Sequence, residues 1–162
     1  MRQPPVDYLA RTRALYDHLG YTPYRWHHSD DAVPLVMLDK PLSQCRVAML
    51  SSGGVYRRGQ LAFHHADDVS FRVIPTDTPT ADLRATHFAY DLTDARRDPN
   101  VVFPIDTLRS LAGDGVIGGL GPRSYTFMGG IYSTRRVREA LVPPLVEQVL
   151  TDHVDLALLV PV

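Results

Sequence analysis

The sequence predicts an α/β domain built on a mostly parallel sheet, and three observations carry that prediction. Residues 46–50 (RVAML) form a short apolar strand that runs straight into the glycine turn at 51–54 (SSGG). Strand followed at once by glycine turn is how α/β proteins begin a ligand-facing loop. Residues 105–112 and 134–151 carry apolar side chains at helical spacing. Residues 154–162 (VDLALLVPV) are apolar on both faces after Asp155, the pattern of a strand buried within a parallel sheet.

In chain order, residues 6–19 place Val6, Leu9, Ala10, Leu15 and Leu19 near helical spacing, with Gly20 as the C-terminal cap. Residues 21–41 read as irregular, with Pro23, Pro34 and Pro41; Tyr21, Tyr24 and Trp26 are expected to fold back onto the body. The strand and SSGG turn follow. Residues 55–98 are polar, contain proline and are rich in His and Asp, with weak strands at 70–74 and 87–90. A connection of that length points to function rather than filler. Pro104 opens the helix at 105–112 in its first turn. The helix at 134–151 has the stripe Val137, Leu141, Leu145, Val149 and Leu150; Pro143 and Pro144 inside it predict a kink or a split. These elements add up to a Rossmann-like parallel-sheet sandwich with a long irregular insertion, truncated at its C-terminal end. It forms one domain over 1–162: a helix and irregular arm (1–41), then the sheet core with its insertion (42–162).

Composition narrows the function classes. The 162 residues suffice for one real core, and 44% apolar with 22% charged residues is ordinary for a globule. A net charge of −1 predicts no nucleic acid and no anionic membrane as partner. Lys40 is the sole lysine, which argues against Schiff-base chemistry. No apolar run approaches the roughly 20 residues of a membrane span. The N-terminus, MRQPPVDYLARTR, lacks an apolar signal core, so the expected location is the cytoplasm. Cys45 is the single cysteine, so no internal disulfide forms. It precedes a strand with no activating base nearby in sequence, and packing is its expected role.

Several clusters bear on chemistry. GDGVIG (113–118) matches GxGxxG but follows a helix rather than a strand, so it reads as a helix cap and turn. His64, His65, Asp67 and Asp68 form a dense cluster, yet neighbouring side chains diverge in an extended chain, and a solvated loop is the expectation over a metal site. His27 and His28 are discounted alike. His87, Tyr90 and Asp91 lie in THFAYD; His87 with Asp91 reads equally as a proton-handling pair or as a structural histidine. Ser70 and Arg72 offer a grip on a carboxylate, or a structural ion pair to Asp68 or Asp91. Asp98, Pro99 and Asn100 read as a turn.

The ordered series SSGGVY, DVSFRVIP, THFAYD, DPNVVFPIDTLRSLAGDGVIG, YTFMGG and DLALLVPV resembles the selenoprotein B family, component B of glycine, sarcosine and betaine reductases, with D-proline reductase relatives. The likeness covers about residues 24–162. It implies a selenol- or thiol-dependent reductase that cleaves a bond alpha to a carboxylate in a small amino-acid-like substrate. The family nucleophile is a Sec-x-x-Cys or Cys-x-x-Cys motif directly after the final strand. That motif is expected just after Val162, where a selenocysteine UGA read as stop, or a chain trimmed at that codon, would end the sequence. Cys45 does not occupy the nucleophile's place.

The resemblance further implies Ser52, Gly53 and Gly54 as the loop beside the nucleophile, Ser70 and Arg72 as anion binders, His87 with Asp91 as proton-handling residues, and Asn100 as a further binding residue. No bound cofactor is expected; an external thiol reductant is. Expected partners are the small-molecule substrate, reductase subunits and further copies of the chain as a homo-oligomer. The rival expectations are a non-catalytic ligand-binding or complex subunit, and a metal-dependent enzyme using His64, His65 or His87.

Overall fold

A computed structural model describes residues 7–23, 28–33 and 36–162. The chain separates into two compact units, Met1–Pro34 and Leu35–Val162. The first holds helix α1 (Tyr8–His18), whose first turn is capped by Asp7 accepting the Ala10 N–H at 3.0 Å. At its other end Gly20 takes φ +75°, and the Tyr21 N–H bonds the Tyr16 carbonyl at 3.0 Å, so the helix ends in a Schellman turn. The Tyr16 and Tyr21 rings meet edge-on at 5.6 Å. Val6, Tyr24, Trp26, His27 and Pro34 lie outside the described residues, and with them most of the expected aromatic fold-back.

The second unit is a mostly parallel sheet with helices on both faces. At its centre is β1 (Arg46–Ser51). One edge of β1 pairs in parallel with β7 (Leu156–Val160) along its whole length. The other edge is shared by β5 (Gly119–Leu120) at the start and β6 (Arg123–Phe127) at the end, also parallel. β3 (Phe71–Pro75) closes the β6 side in antiparallel register, Val73 facing Tyr125. β2 (Val55–Arg57) and β4 (Leu83–Ala85) form a separate antiparallel ribbon.

The alternation of each strand divides the core. From β1, Met49 joins Val55, Ile74, Leu83, Phe103, Ile105 and Leu108 on the face covered by α3 (Ile105–Gly113). Leu50 turns to the opposite face with Tyr125, Leu141 and Leu145. There the cover is α4 (Thr134–Arg136), a π-helical turn at Val137–Leu141, and α5 (Val142–Thr151), in one run. The insertion also carries the short helix α2 (Thr93–Arg97).

The expected split at Pro143 and Pro144 is therefore a change of pitch. Neither proline can donate an amide hydrogen, and the chain adapts one turn earlier: the Val142 N–H reaches back to the Val137 carbonyl in the wider i→i−5 pattern. GDGVIG is the turn after α3, with Gly115 at φ +71° and the Val116 N–H on the Leu111 carbonyl at 2.9 Å. The strand expected at 70–74 is present as β3, whereas 87–90 is not a strand. There His87 turns its ring back onto the Ala89 N–H, and no partner strand runs alongside. The sequence pattern missed four strands: β2 and β4, short and mixed in polarity, and the parallel strands β5 and β6, the first only two residues long and the second rich in polar residues.

The closing strand is parallel, as expected, but not buried: Leu158 is 39% and Leu159 67% exposed. β7 pairs with β1 alone, while α5 packs over Tyr125 and the β3–β6 side. Among the described residues no helix is long and apolar enough to cross a membrane.

Candidate active site at the carboxyl end of the sheet

Three parallel strands, β1, β6 and β7, end at one place. The Ser52 N–H bonds the Val160 carbonyl at 3.1 Å, the Gly129 N–H bonds the Ser52 carbonyl at 2.8 Å, and the Val162 N–H bonds Ser52 Oγ at 2.9 Å. Ser52 thus staples the segments after β6 and β7 to the turn after β1. Open α/β sheets place ligands outside such carboxyl ends, where neighbouring strands leave β1 in opposite directions.

The SSGG turn is held from below. The Ser51 hydroxyl donates to the Val102 carbonyl at 2.6 Å and accepts the Gly53 N–H at 3.1 Å. The Gly54 N–H donates to the Phe127 carbonyl at 3.0 Å, and its carbonyl accepts the Thr86 N–H at 3.0 Å. Gly54 sits at φ +65°, and a Cβ there would run into the Thr86 carbonyl oxygen. Only glycine meets both demands.

His87 lies against this turn and is 7% exposed. Its Nδ1 accepts the Ala89 N–H at 3.0 Å, so in the neutral ring Nε2 carries the proton. That Nε2–H is buried and without a hydrogen-bond partner; the Ser52 carbonyl acts on the ring electrostatically but outside hydrogen-bonding geometry. Burial pushes the imidazole below its ordinary pKa, and the Ser52 carbonyl opposes this only in part.

The ring is clamped by Phe88, stacked at 5.6 Å, and Tyr90, tilted at 4.7 Å. Tyr90 donates to the Gly53 carbonyl at 2.8 Å, and burial raises its pKa. Two glycines make room for the rings. A Cβ on Gly129 would stand 3.2 Å from His87 Nε2, 3.3 Å from the Ser52 carbonyl and 3.4 Å from the Val162 carbonyl. One on Gly130 would meet Phe88 Cζ at 2.6 Å. An orphaned donor, two carbonyl oxygens and a missing side chain thus define a small polar recess. Its chemistry is one buried hydrogen-bond donor, the Nε2–H of a neutral imidazole.

The sequence candidates distribute unevenly around it. Ser52, Gly53, Gly54 and His87 come together. Asp91 does not join His87: its carboxylate takes the Thr93 N–H at 2.9 Å and the Thr93 hydroxyl at 2.7 Å, and no hydrogen bond or ion pair links the two residues. These bonds hold its pKa low. Arg72 donates to the carbonyls of Leu61 at 2.7 Å and Ala62 at 3.3 Å and to Ser70 Oγ at 2.8 Å, and lies 4.2 Å over the Phe63 ring. Ser70 in turn bonds Asp68. Asn100 bridges Asp98 and Asp106, each at 2.9 Å, and pins the first turn of α3.

His64 bonds its neighbours Asp68 and Ala66. Among the described residues no group of three or more His, Cys, Asp or Glu side chains could hold a metal ion. Cys45 is fully buried at the amino end of β1, its thiol aimed at the Pro41 carbonyl. What sequence reasoning missed is the glycine pair 129–130 as the seat for His87 and Phe88, and the Ala89 amide as the group that orients the imidazole. A glycine doublet directly after an apolar strand was the available signal.

Residues 21–161 match the family model of glycine/sarcosine/betaine reductase selenoprotein B. The chain belongs to this family. It is 38% identical over 120 residues to a D-proline reductase subunit gamma of Acetoanaerobium sticklandii, covering 74% of this chain and 50% of the relative. It is 31% identical over 136 residues to a glycine reductase complex component B subunit gamma of Symbiobacterium thermophilum, covering 81% and 32%. A sarcosine reductase complex component B subunit beta of Peptoclostridium acidaminophilum is 30% identical over 95 residues, covering 56% and 22%. The chain spans half or less of the length of these curated relatives. No solved structure matches it. The segments SSGG, THF and MGG, which lie within the sequence blocks that carried the resemblance, meet at the carboxyl end of the sheet.

Proposed function

We propose that this chain is a subunit of a selenol- or thiol-dependent reductase that cleaves a small amino-acid-like substrate, with the carboxyl end of the sheet as its reacting face. The observation that carries the reading is the buried, unpartnered Nε2–H of His87 beside Ser52, Gly129 and Val162. A residue following Val162 would leave the sheet at Ser52 and enter this recess. The proposed nucleophile is the Sec/Cys-x-x-Cys group of the family at that place. Its selenolate or thiolate would attack the carbon alpha to the substrate carboxylate. The leaving amine takes the electron pair of the broken bond and a proton from solvent, while the Nε2–H of the neutral His87 ring serves as a hydrogen-bond donor to the reacting group. An external thiol would reduce the product of the attack. Relatives named as complex subunits support partner subunits for this chain, and the proposed setting is cytoplasmic.

The encoding DNA tests the nucleophile: an in-frame UGA after the Val162 codon, followed by codons for x-x-Cys, is the expected result, and another stop with no coding potential beyond it sinks the idea. Thiol-dependent turnover by chains with and without that extension tests the chemistry; only the extended chain should turn over. One observation favours a second reading, a binding subunit without chemistry of its own: the sole thiol, Cys45, is buried at the opposite end of the sheet. Equal inactivity of both chains with retained ligand binding would select it.

A further inference from the structure

A second recess lies on the far side of Thr86 from the turn. It encloses about 370 Å³ between the β2–β4 ribbon and α2, lined by Tyr56, Leu83, Arg84, Thr86, Ala95 and Arg96 with Ala85 in its wall. That volume is within the ordinary range for small-molecule sites. Leu83, Ala85 and Ala95 are buried and form an apolar floor. The polar side chains of the lining can all donate: two guanidiniums and the hydroxyls of Tyr56 and Thr86, neither of which has a hydrogen-bond partner among the described residues. No carboxylate lines it.

The neighbouring acids are engaged elsewhere. Asp82 pairs with Arg58 at 3.8 Å, Asp94 pairs with Arg97 at 3.6 Å, and Asp91 bonds Thr93 while only sensing the charge of Arg96. Arg84 spends Nη1 on the Ala81 and Leu83 carbonyls at 2.9 and 2.6 Å, which orients the guanidinium and leaves Nε and Nη2 unused. The Arg96 backbone N–H bonds the Leu92 carbonyl at 2.9 Å, while among the described residues its guanidinium makes no hydrogen bond and no ion pair. The contrast is the hollow beside Pro75 and Pro122, where Arg109 is fully spent on Asp106 and on the Thr76 and Thr78 carbonyls.

We propose that the Arg84–Arg96 recess binds a small oxyanion, the carboxylate or phosphate of a small ligand, held by the two guanidiniums and the two hydroxyls. Guanidinium forks suit both groups because they offer parallel N–H bonds to paired oxygens. The Thr86 N–H is bonded to the Gly54 carbonyl, and β4 runs out at Ala85, so an occupant held by Thr86 sits one residue from His87. The site stands whether or not the reductase reading does, since it needs only the ribbon and α2.

The test is a titration of the ¹⁵N-labelled chain followed by amide shifts, with inorganic phosphate in one arm, acetate in another and chloride holding ionic strength constant. Saturable shifts around Tyr56, Leu83–Thr86 and Ala95–Arg96 in either arm are expected, and the arm that saturates tells phosphate from carboxylate. Arg84→Gln and Arg96→Gln, both at exposed positions, should each weaken binding about tenfold or more. Non-saturating shifts in both arms, shifts spread over the other arginines, or unchanged affinity in both variants would overturn the assignment.

Discussion

The two ends of the sheet are built on opposite rules. At the amino end two ion pairs and their hydrogen bonds tie the elements together. Asp155 pairs with Lys40 at 2.7 Å and accepts the Arg46 N–H at 2.7 Å. Arg123 reaches Asp152 Oδ1, Gln148 and Thr151, and Tyr125 donates to Asp152 Oδ2 at 2.5 Å, deep enough that its pKa is raised. At the carboxyl end, backbone carbonyls and amides dominate, glycines replace side chains, and one buried donor has no acceptor. A satisfied buried network rigidifies, and an unsatisfied polar group costs free energy unless a ligand completes it. The amino end holds the sheet together so that the carboxyl end can remain incomplete.

That contrast can be broken from either side. The largest effect is expected at the amino end: Asp152→Ala strands Arg123 and should cost about 3 kcal/mol, read as a lower urea midpoint with an unchanged slope. An unaltered midpoint would mean that the network does not tie α5 to β6.

Gly129→Ala should cost only about 1 kcal/mol by overpacking, yet displace the His87 ring. The readout is histidine ¹⁵N chemical shifts at neutral pH. The wild type should give the Nε2–H tautomer for His87, and the variant should change that signature with little change in melting. An Nδ1–H tautomer in the wild type would refute the donor role.

The pH dependence is smaller and has a defined sign. His87 has a lowered pKa in the folded state, so below its unfolded value of about 6.5 the unfolded chain binds the extra proton first. Stability should therefore fall as pH drops from 7 toward 5.5, and His87→Gln should flatten that slope. An equal slope in both would remove the burial argument. The carboxylates with depressed pKa values, Asp68, Asp106 and Asp155, act in the same direction but in a window below about pH 4. The smallest effect is expected from Asp91→Asn, which should leave the His87 tautomer signal in place because the Ala89 amide, not Asp91, orients the ring.

The local and periodic features were legible in the sequence. Strand β1 with its SSGG turn, β3, the helices at 105 and 134 and the cap at Gly115 all follow from nearest-neighbour chemistry: apolar spacing, glycine turns and prolines. The ordered blocks carried the family. What was not legible depends on contacts between distant segments. The β2–β4 ribbon is only three residues wide on each side, too short for an alternation to register. His87 and Asp91 are near neighbours in sequence, yet an Asx turn on Thr93 claims the carboxylate. Arg72 looks like a free guanidinium until the 61–63 segment folds over it.

The sequence by itself determined the α/β class, the position of the glycine turn and the apolar closing strand. Those are properties of residue type and period. The tertiary structure decided which residues meet. It set Gly129 under His87 Nε2, joined Val162 to Ser52 across 110 positions, and left Arg84 and Arg96 without acids in one recess. It also left β7 half exposed, because burial depends on what packs against a strand and not on how apolar the strand is.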